Sequence, residues 1–360
     1  MELIGNTTIM KQIYIAMNSA REDNRSTPHM LFSGAAGCGK TSTAKYLAEI
    51  SGSDLINVAC DSIKKRTDVL ALIEKLNHEG YSKRGERKGK LRPSIVFIDE
   101  IHGLSLAAQE YLGILMEEWY IPLSNKETVK LPVDELIARI KSMQSKNKND
   151  TVNAKHHIRW SPAFTLVGAT TNDGKLSKPF RDRCKLRFVF SPYNLEESAA
   201  IVKVHAERLK ISIDDEAAAT IANRGRGVPR VLIGLLEMCR DMAYQCNDKL
   251  VTKALTDVAF HSAGIDRSGL TKPDIKMLQI LYELESPVGI DNIAVQLNES
   301  SIVLSETVEP YLIQRGFIIR ASKGRMITPK GRQYLIENGH VKIDESEVYY
   351  DIPIGFDRGM

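Results

Sequence analysis

The sequence offers no disulfide framework. Its five cysteines, Cys38, Cys60, Cys184, Cys239 and Cys246, are odd in number and none stands in a CxxC pair, so a secreted cystine scaffold is not expected. Small buried residues is their expected role. No apolar run approaches membrane-spanning length. The first ten residues, MELIGNTTIM, lack the basic start and apolar core of a secretory signal. A reducing cytoplasm and no membrane partner are the expectation. A large charge excess is also missing: 49 Lys and Arg against 45 Asp and Glu leave a net +4, so any DNA-binding surface must come from local clustering. With 43% apolar and 26% charged residues in a chain of 360, a packed core and two or three domains are expected.

What is present begins with Gly34–Thr41, GAAGCGKT, preceded by the apolar Met30-Leu31-Phe32 and followed by a helical pattern over Thr41–Ile50. Strand, glycine turn and helix are the context a phosphate-binding loop requires. Glycine lets the backbone approach phosphate oxygens, and the N-terminus of the following helix adds attraction for an anion. Lys40 would reach the β- and γ-phosphates and Thr41 would hold Mg²⁺. Farther on, Ile95–Glu100 reads IVFIDE. A buried strand ending in two carboxylates places them at a ligand crevice. Asp99 would orient the metal through its water shell, and Glu100 would orient or activate a water. Alone, the glycine loop is weak evidence and Asp-Glu could begin a helix; together they favour nucleotide binding. Cys38 lies inside the loop, so alkylation there would block the nucleotide.

Along the chain, Ile4–Ala20 reads as a short lead and an amphipathic helix that Asn6 or Thr7 could cap. Asp54–Ala59 is a second strand candidate and Thr67–Leu76 a helix. Asn77–Pro93 carries Lys83, Arg84, Arg87, Lys88, Lys90 and Arg92 among glycines; a mobile basic loop touching a nucleic-acid backbone and a solvated insertion are both open. Ala107–Trp119 is helical, Ile121–Val133 fits a short hairpin, Asp134–Met143 a helix, and Lys146–Asn153 is loose and polar. Phe164–Gly168 is a buried strand ending in Ala169-Thr170-Thr171-Asn172, and Leu186–Phe190 the last strand. Between them, Arg181-Asp182-Arg183 fits either a local ion pair or an arginine given to a neighbouring subunit's ATP. Five strands alternating with helices indicate a parallel three-layer α/β domain.

Helices follow over Leu195–Leu209, Asp214–Arg224 and Pro229–Asn247, a lid from which Arg230 would reach the phosphates. Ser268–Glu337 changes character again. A helix at Lys272–Leu284, a second that follows the turn Val288-Gly289-Ile290 and ends near Leu297, and a third over about Val303–Gln314 precede a hairpin bearing Arg320, Lys323 and Arg325. Three helices and a basic hairpin make a winged helix, a module that docks on a duplex or on a protein. The residues past His340 form a short tail with several acids.

In its motifs LFSGAAGCGKT, VFIDEIHGLS, FTLVGATTNDGKLSKPFRDRC, RGRGVPR, PVGIDNIAVQLNE and EPYLIQRGFIIRASKGRMIT, the chain from Ile4 to about Thr328 resembles the RuvB family of AAA+ ATPases. The resemblance implies an ATPase domain over residues 1–190 with an insertion near 121–161, a helical lid over 191–266, a winged helix over 267–338 and a tail over 339–360. It implies nucleotide binding by Ile4, Gly5, Gly34, Gly37, Cys38, Gly39, Lys40, Thr41, Ser42, Asp99, Tyr193, Pro229 and Arg230. Thr41 and Asp99 would serve Mg²⁺, Glu100 catalysis, Thr171 the first sensor, Arg183 the arginine finger and Arg230 the second sensor. Arg320, Lys323 and Arg325 would face DNA. Family members form homohexameric rings on duplex DNA at four-way junctions, paired with RuvA. The chain departs from the family in Ala35-Ala36 and Cys38 of the loop, in the basic segment, and in the longer stretch from Ile121 to Ser161, which leaves a RuvA-like partner open. The expected function is an ATP-driven branch-migration motor. The rival is a clamp-loader-like ATPase that loads a protein on DNA without translocating.

Overall fold

Five apolar runs become five parallel strands. The computed structural model describes residues 3–23, 25–79, 94–117, 119–122, 157–160, 164–246 and 249–341. β1 is Met30–Gly34, β2 Leu55–Val58 and β3 Ser94–Ile98; β4 (Trp119–Pro122) and β5 (His157–Trp160) pair apart from them; β6 is Phe164–Thr170 and β7 Leu186–Phe190. The main sheet runs β2-β3-β6-β1-β7. Alternate residues of β1, β3 and β6 enter opposite cores. Leu31, Val96, Ile98, Phe164 and Leu166 pack with Ala108, Leu112 and Leu115. Met30, Phe32, Ile95, Phe97, Val167 and Ala169 pack with Met10, Ile13, Ala44 and Leu47. Helices therefore cover both faces, and the central strands read as continuous apolar runs.

Register decides where the chemistry lies. Ser33 stands level with Thr170 and Ile98 with Gly168. Gly34, Asp99 and Thr171 thus leave the sheet along one carboxyl edge, the place where open α/β sheets bind ligands.

Three local expectations change. Asn6 sits before the first helix, Thr7–Glu22, in a left-handed conformation and does not cap it; its amide donates instead to the Tyr193 hydroxyl at 2.8 Å. The helix expected to reach Trp119 spans Leu106–Leu115, capped by Ser105, because Trp119 is taken by strand pairing. A hairpin within Ile121–Val133 is not formed by Ile121 and Pro122, which pair with Ile158 and His157. The expected helix Asp134–Met143, the loose Lys146–Asn153, most of the basic segment and most of the tail lie outside the described residues.

The chain divides into two units, Met1–Ile201 with Gly227–Val231, and Val202–Arg226 with Leu232–Met360. The helices Leu195–Arg208 and Pro229–Gln245 each begin in the first and end in the second. In the second, Asp214 caps Asp215–Arg224 by accepting from the Ala217 amide at 2.6 Å, and β8 (Ser212–Ile213) pairs with β9 (Leu250–Val251). Helices Lys272–Leu284 and Ile290–Leu297 and the helical run Ser301–Val303, Leu304–Val308, Glu309–Gln314 lead to a hairpin of β10 (Ile318–Ala321) and β11 (Gly324–Ile327). The segment Leu304–Val308 is wound as a π-helix. Val288 adds a third edge by exchanging backbone bonds with Arg325. Met277, Leu278, Leu281, Ile293, Leu312, Phe317 and Leu335 fill this core. Among the described residues no helix is long and apolar enough to cross a membrane.

His29, just before β1, is buried. Its Nδ1 accepts from the Leu166 amide at 2.9 Å, and Nε2 lies 2.9 Å from the Met116 carbonyl. Those partners require the neutral ring protonated on Nε2. Burial drives its pKa down to about 4, against a smaller opposing effect of the Met116 bond. A lowered folded pKa means the unfolded chain binds the extra proton first. This contribution is complete above about pH 6.5 and is lost as pH falls toward 4, on the order of 3 kcal/mol in all. Denaturant titrations across that window should show the loss, and a folded His29→Gln variant should show a shallower pH slope.

Candidate nucleotide site and winged helix

The phosphate loop is held closed by its own lysine. Lys40 opens the helix Lys40–Ser51 yet is only 6% exposed. Its ammonium donates to the carbonyls of Gly34 at 2.7 Å and Ala35 at 2.9 Å. Burial lowers its pKa and Arg230 adds to this, while Glu100, Cys38 and Asp99 oppose it. Gly37 and Gly39 are left-handed, at φ 80° and 90°. A side chain at Gly37 would collide with Arg230 and Val228, whose atoms lie 2.9 Å from the Cβ position, so glycine is required by both conformation and space. Arg230 is thereby placed against the loop, in the first turn of the helix begun by Pro229.

Opposite the loop, the Thr41 hydroxyl lies 3.5 Å from Asp99 Oδ2, and Asp99 Oδ1 accepts from the Glu100 amide at 3.0 Å. Glu100 is exposed and left-handed, φ 45°. The Thr171 hydroxyl and amide donate to its Oε2 at 3.2 and 3.4 Å. His102 Nδ1 lies 3.1 Å from the same oxygen and 2.9 Å from the Thr170 hydroxyl. The carboxylate is therefore fixed from β6 and from the turn after β3. Ser42, one residue along the helix, is exposed.

Tyr193 joins the leading segment to the loop. Besides its bond to Asn6, its ring lies 2.6 Å from the Cβ position of Gly5, and its hydroxyl 2.9 Å from that of Gly39. Burial pushes the phenol up to about 12, against the Asn6 bond. Ile4 is partly buried beside Gly5. Arg183 behaves differently. Among the described residues its contacts are an ion pair with Glu117 at 3.2 Å, a bond from Nη1 to the Pro179 carbonyl at 3.0 Å and packing on Gly113; none reaches the phosphate loop of its own chain.

In the winged helix, Arg320 and Arg325 face each other across the hairpin. Both close on Glu309, whose carboxylate is fully buried. Arg320 donates at 2.7 and 2.9 Å and Arg325 at 2.9 and 3.1 Å. Burial alone would raise the Glu309 pKa, but the two guanidinium groups hold it lowered. Arg325 is 19% exposed and Arg320 59%; Lys323 stands exposed at the tip.

Family models match three consecutive segments: the ATPase family associated with various cellular activities over residues 30–192, the RuvB AAA lid domain over 193–266 and the RuvB C-terminal winged helix domain over 267–336. The Holliday junction branch migration complex subunit RuvB of Orientia tsutsugamushi, strain Boryong, is 33% identical, covering 93% of this chain and 92% of the relative. The chain belongs to the RuvB family. The RuvB subunit of Bdellovibrio bacteriovorus is 32% identical over 90% of the chain and 88% of its own length. The structure of the Thermotoga maritima RuvB Holliday junction branch migration motor superposes with a TM-score of 0.71 at 29% identity, over 92% of this chain and 95% of that one. RuvB-family proteins are AAA ATPases, and the parallel sheet, lid and winged helix found here are that architecture.

Within this RuvB-family chain, several contacts lay beyond sequence reasoning. His102 sits in the DEIH run, and only the left-handed turn at Glu100 brings its ring to the carboxylate. Glu117 and Glu309 carried no signal, since their arginine partners are distant in sequence. The loop thiol is not open to ready alkylation. Cys38 is fully buried, and burial raises its pKa against the opposing pull of Lys40, so it is shielded rather than reactive. A maleimide added to the native protein should label the exposed Cys246 and spare Cys38, as read by peptide mass spectrometry; rapid Cys38 labelling with the fold intact would contradict the packing.

Proposed function

We propose that the chain is an ATP-driven motor that moves four-way DNA junctions, working as a ring of identical copies, of which six is the expected number. The observation that carries the reading is that one chain joins a hydrolysis site to a winged helix, and does so over nine-tenths of its length in common with relatives named as branch-migration subunits. The proposed division is residues 1–190 for hydrolysis, with an insertion near 121–161, 191–266 for the lid, 267–338 for DNA and 339–360 as a tail.

The residues present fit ATP with Mg²⁺. A buried ammonium whose bonds among the described residues go to the Gly34 and Ala35 carbonyls has donors to transfer to phosphate oxygens. A hydroxyl opposite a carboxylate is an oxygen set suited to a small hard cation. Bound there, Mg²⁺ supplies charge neutralisation for the phosphate oxygens. Lys40 exchanges Gly34 and Ala35 for the β- and γ-phosphates. Thr41 and Asp99 hold the metal side. Ile4, Gly5, Tyr193 and Pro229 enclose the base, while Gly34, Gly37, Cys38, Gly39 and Ser42 shape the loop and its helix. Glu100 orients the attacking water, and Thr171 fixes the Glu100 carboxylate. Arg230 senses the phosphates from the first turn of its helix. Arg183, whose contacts point away from its own loop, is given to the site of the next copy. Acceleration comes from positioning and charge stabilisation, as in other phosphoryl transfers.

Lys40→Ala should lower ATP turnover by roughly 100-fold or more; turnover at the wild-type rate would reject the loop assignment. Arg183→Ala and Glu100→Gln, each inactive alone, should regain part of the activity when mixed, because mixed rings contain some intact sites. No recovery in rings shown to be mixed would exclude a shared site. On DNA, Lys323→Ala should reduce the salt slope of duplex binding by roughly one contact. Arg320→Ala and Arg325→Ala should each weaken duplex binding and also destabilise the wing, because either strips the buried Glu309 carboxylate of one partner. Junction movement with ATP on a synthetic four-way substrate separates a motor from a loader, which binds without moving it. The same assay, with and without a RuvA-like protein, decides whether that partner serves this chain.

A further inference from the structure

Arg226 occupies a backbone position that suits another residue better. Its φ is +59°, a left-handed conformation in which glycine or asparagine is at ease and a long side chain is strained. The reason for arginine lies in what the side chain reaches. Nη2 donates to Asp274 Oδ2 at 2.6 Å and to the Gly269 carbonyl at 2.9 Å. Nη1 lies 3.5 Å from Asp274 Oδ1 and from the Thr307 carbonyl. The guanidinium stacks on the Tyr311 ring, 4.4 Å from its centre. Asp274 is fully buried, and its Oδ2 also accepts from the Thr271 amide and hydroxyl at 2.7 and 2.6 Å, boxing the start of the first winged-helix helix. The fork, the stack and the buried carboxylate together make a contact that lysine cannot reproduce.

Arg226 is also where the chain changes unit. It ends the piece Val202–Arg226, and the next residues, Gly227–Val231, belong to the unit that carries the phosphate loop. Gly227 is left-handed as well, φ +66°. Its carbonyl accepts from the Tyr193 amide at 2.8 Å, and any side chain there would strike the Tyr193 carbonyl, 2.5 Å from the Cβ position. Val228 and Arg230 follow at once, against Gly37 of the loop. One peptide bond therefore separates a residue clamped to the winged helix from a segment packed on the nucleotide site. Two consecutive left-handed residues, Arg226 and Gly227, flank that peptide bond.

We propose that Arg226 is the coupling latch of the motor, a positioning residue that passes the state of the phosphate loop, through the Gly227–Arg230 segment, to Asp274 and the winged helix. The inference rests on the reading of the chain as a DNA motor. It does not assign Arg226 any contact with nucleotide or DNA. A shift of the loop on exchange of nucleotide moves Arg230 and Val228; the short connection through Gly227 passes that shift to Arg226, and the ion pair with Asp274 passes it to the DNA-binding module. By linkage, DNA bound to the winged helix must alter nucleotide affinity by the same factor.

The test measures that factor in the full chain. The dissociation constant of a fluorescent, slowly hydrolysed ATP analogue with Mg²⁺ is determined without DNA and with a saturating 50-base-pair duplex. The wild type should show a change of about fivefold or more. Arg226→Ala should bind the analogue without DNA within about twofold of wild type, yet show a ratio near one. Asp274→Asn keeps an acceptor for the Thr271 amide while removing the charge; it should lose the ratio in the same way with the helix still capped, and it serves if the alanine variant fails to fold. A merely structural Arg226 would lower the melting temperature and leave the ratio at the wild-type value. That result in folded variants overturns the proposal, as does a wild-type ratio of one on bound duplex. Failure of the wild type to bind duplex at all would instead defeat the motor reading.

Discussion

The register of three neighbouring parallel strands is the constraint on which the rest depends. β6 pairs with β1 on one side and β3 on the other, and all seven of its residues are buried. A slip by one residue would turn each of these apolar faces over. Because both faces are covered, the slip would move each side chain into the opposite core, which is shaped for a different residue, and misfit both. The same register fixes the distance between the glycine loop, the two carboxylates and Thr171. The apolar cores thus specify the hydrolytic geometry as a by-product of packing.

Charge is handled in two ways. At the nucleotide edge, groups are left with bonds they can exchange: Lys40 on carbonyls, Thr41 at 3.5 Å from Asp99, Glu100 on a threonine and a histidine. In the winged helix, Glu309 and Asp274 are buried and saturated by arginine. Breaking either of those pairs would leave an uncompensated buried carboxylate, a costly state. One set can exchange partners and the other is built to persist, which suits a site that cycles and a module that must carry force.

Local spacing made the loop, the Asp-Glu strand, the five sheet strands and the winged-helix order legible. Each is written within about a dozen residues as an apolar run, a glycine pattern or a helical period. What escaped is long in sequence. Trp119 pairs with Trp160, Arg226 with Asp274 and Arg183 with Glu117, and no periodicity marks such partners. Arg325 was legible as a wing cation, but its bond to Glu309 was not, because the helix and the hairpin meet only once the core of Leu312, Phe317 and Ile327 has formed. Asn6 misled for a different reason. It has the chemistry of a cap, yet its backbone is left-handed and its amide is claimed by Tyr193.

The ribbon of β4 and β5 has an evolutionary corollary. Its antiparallel pairing brings residues 122 and 157 together, so the intervening chain departs from and returns to one spot. The entropy of closing such an excursion grows only with the logarithm of its length. Residues can be gained or lost there while the neighbouring strands keep their places. A lineage could therefore lengthen or shorten this excursion without moving the strand ends on which the carboxylates stand.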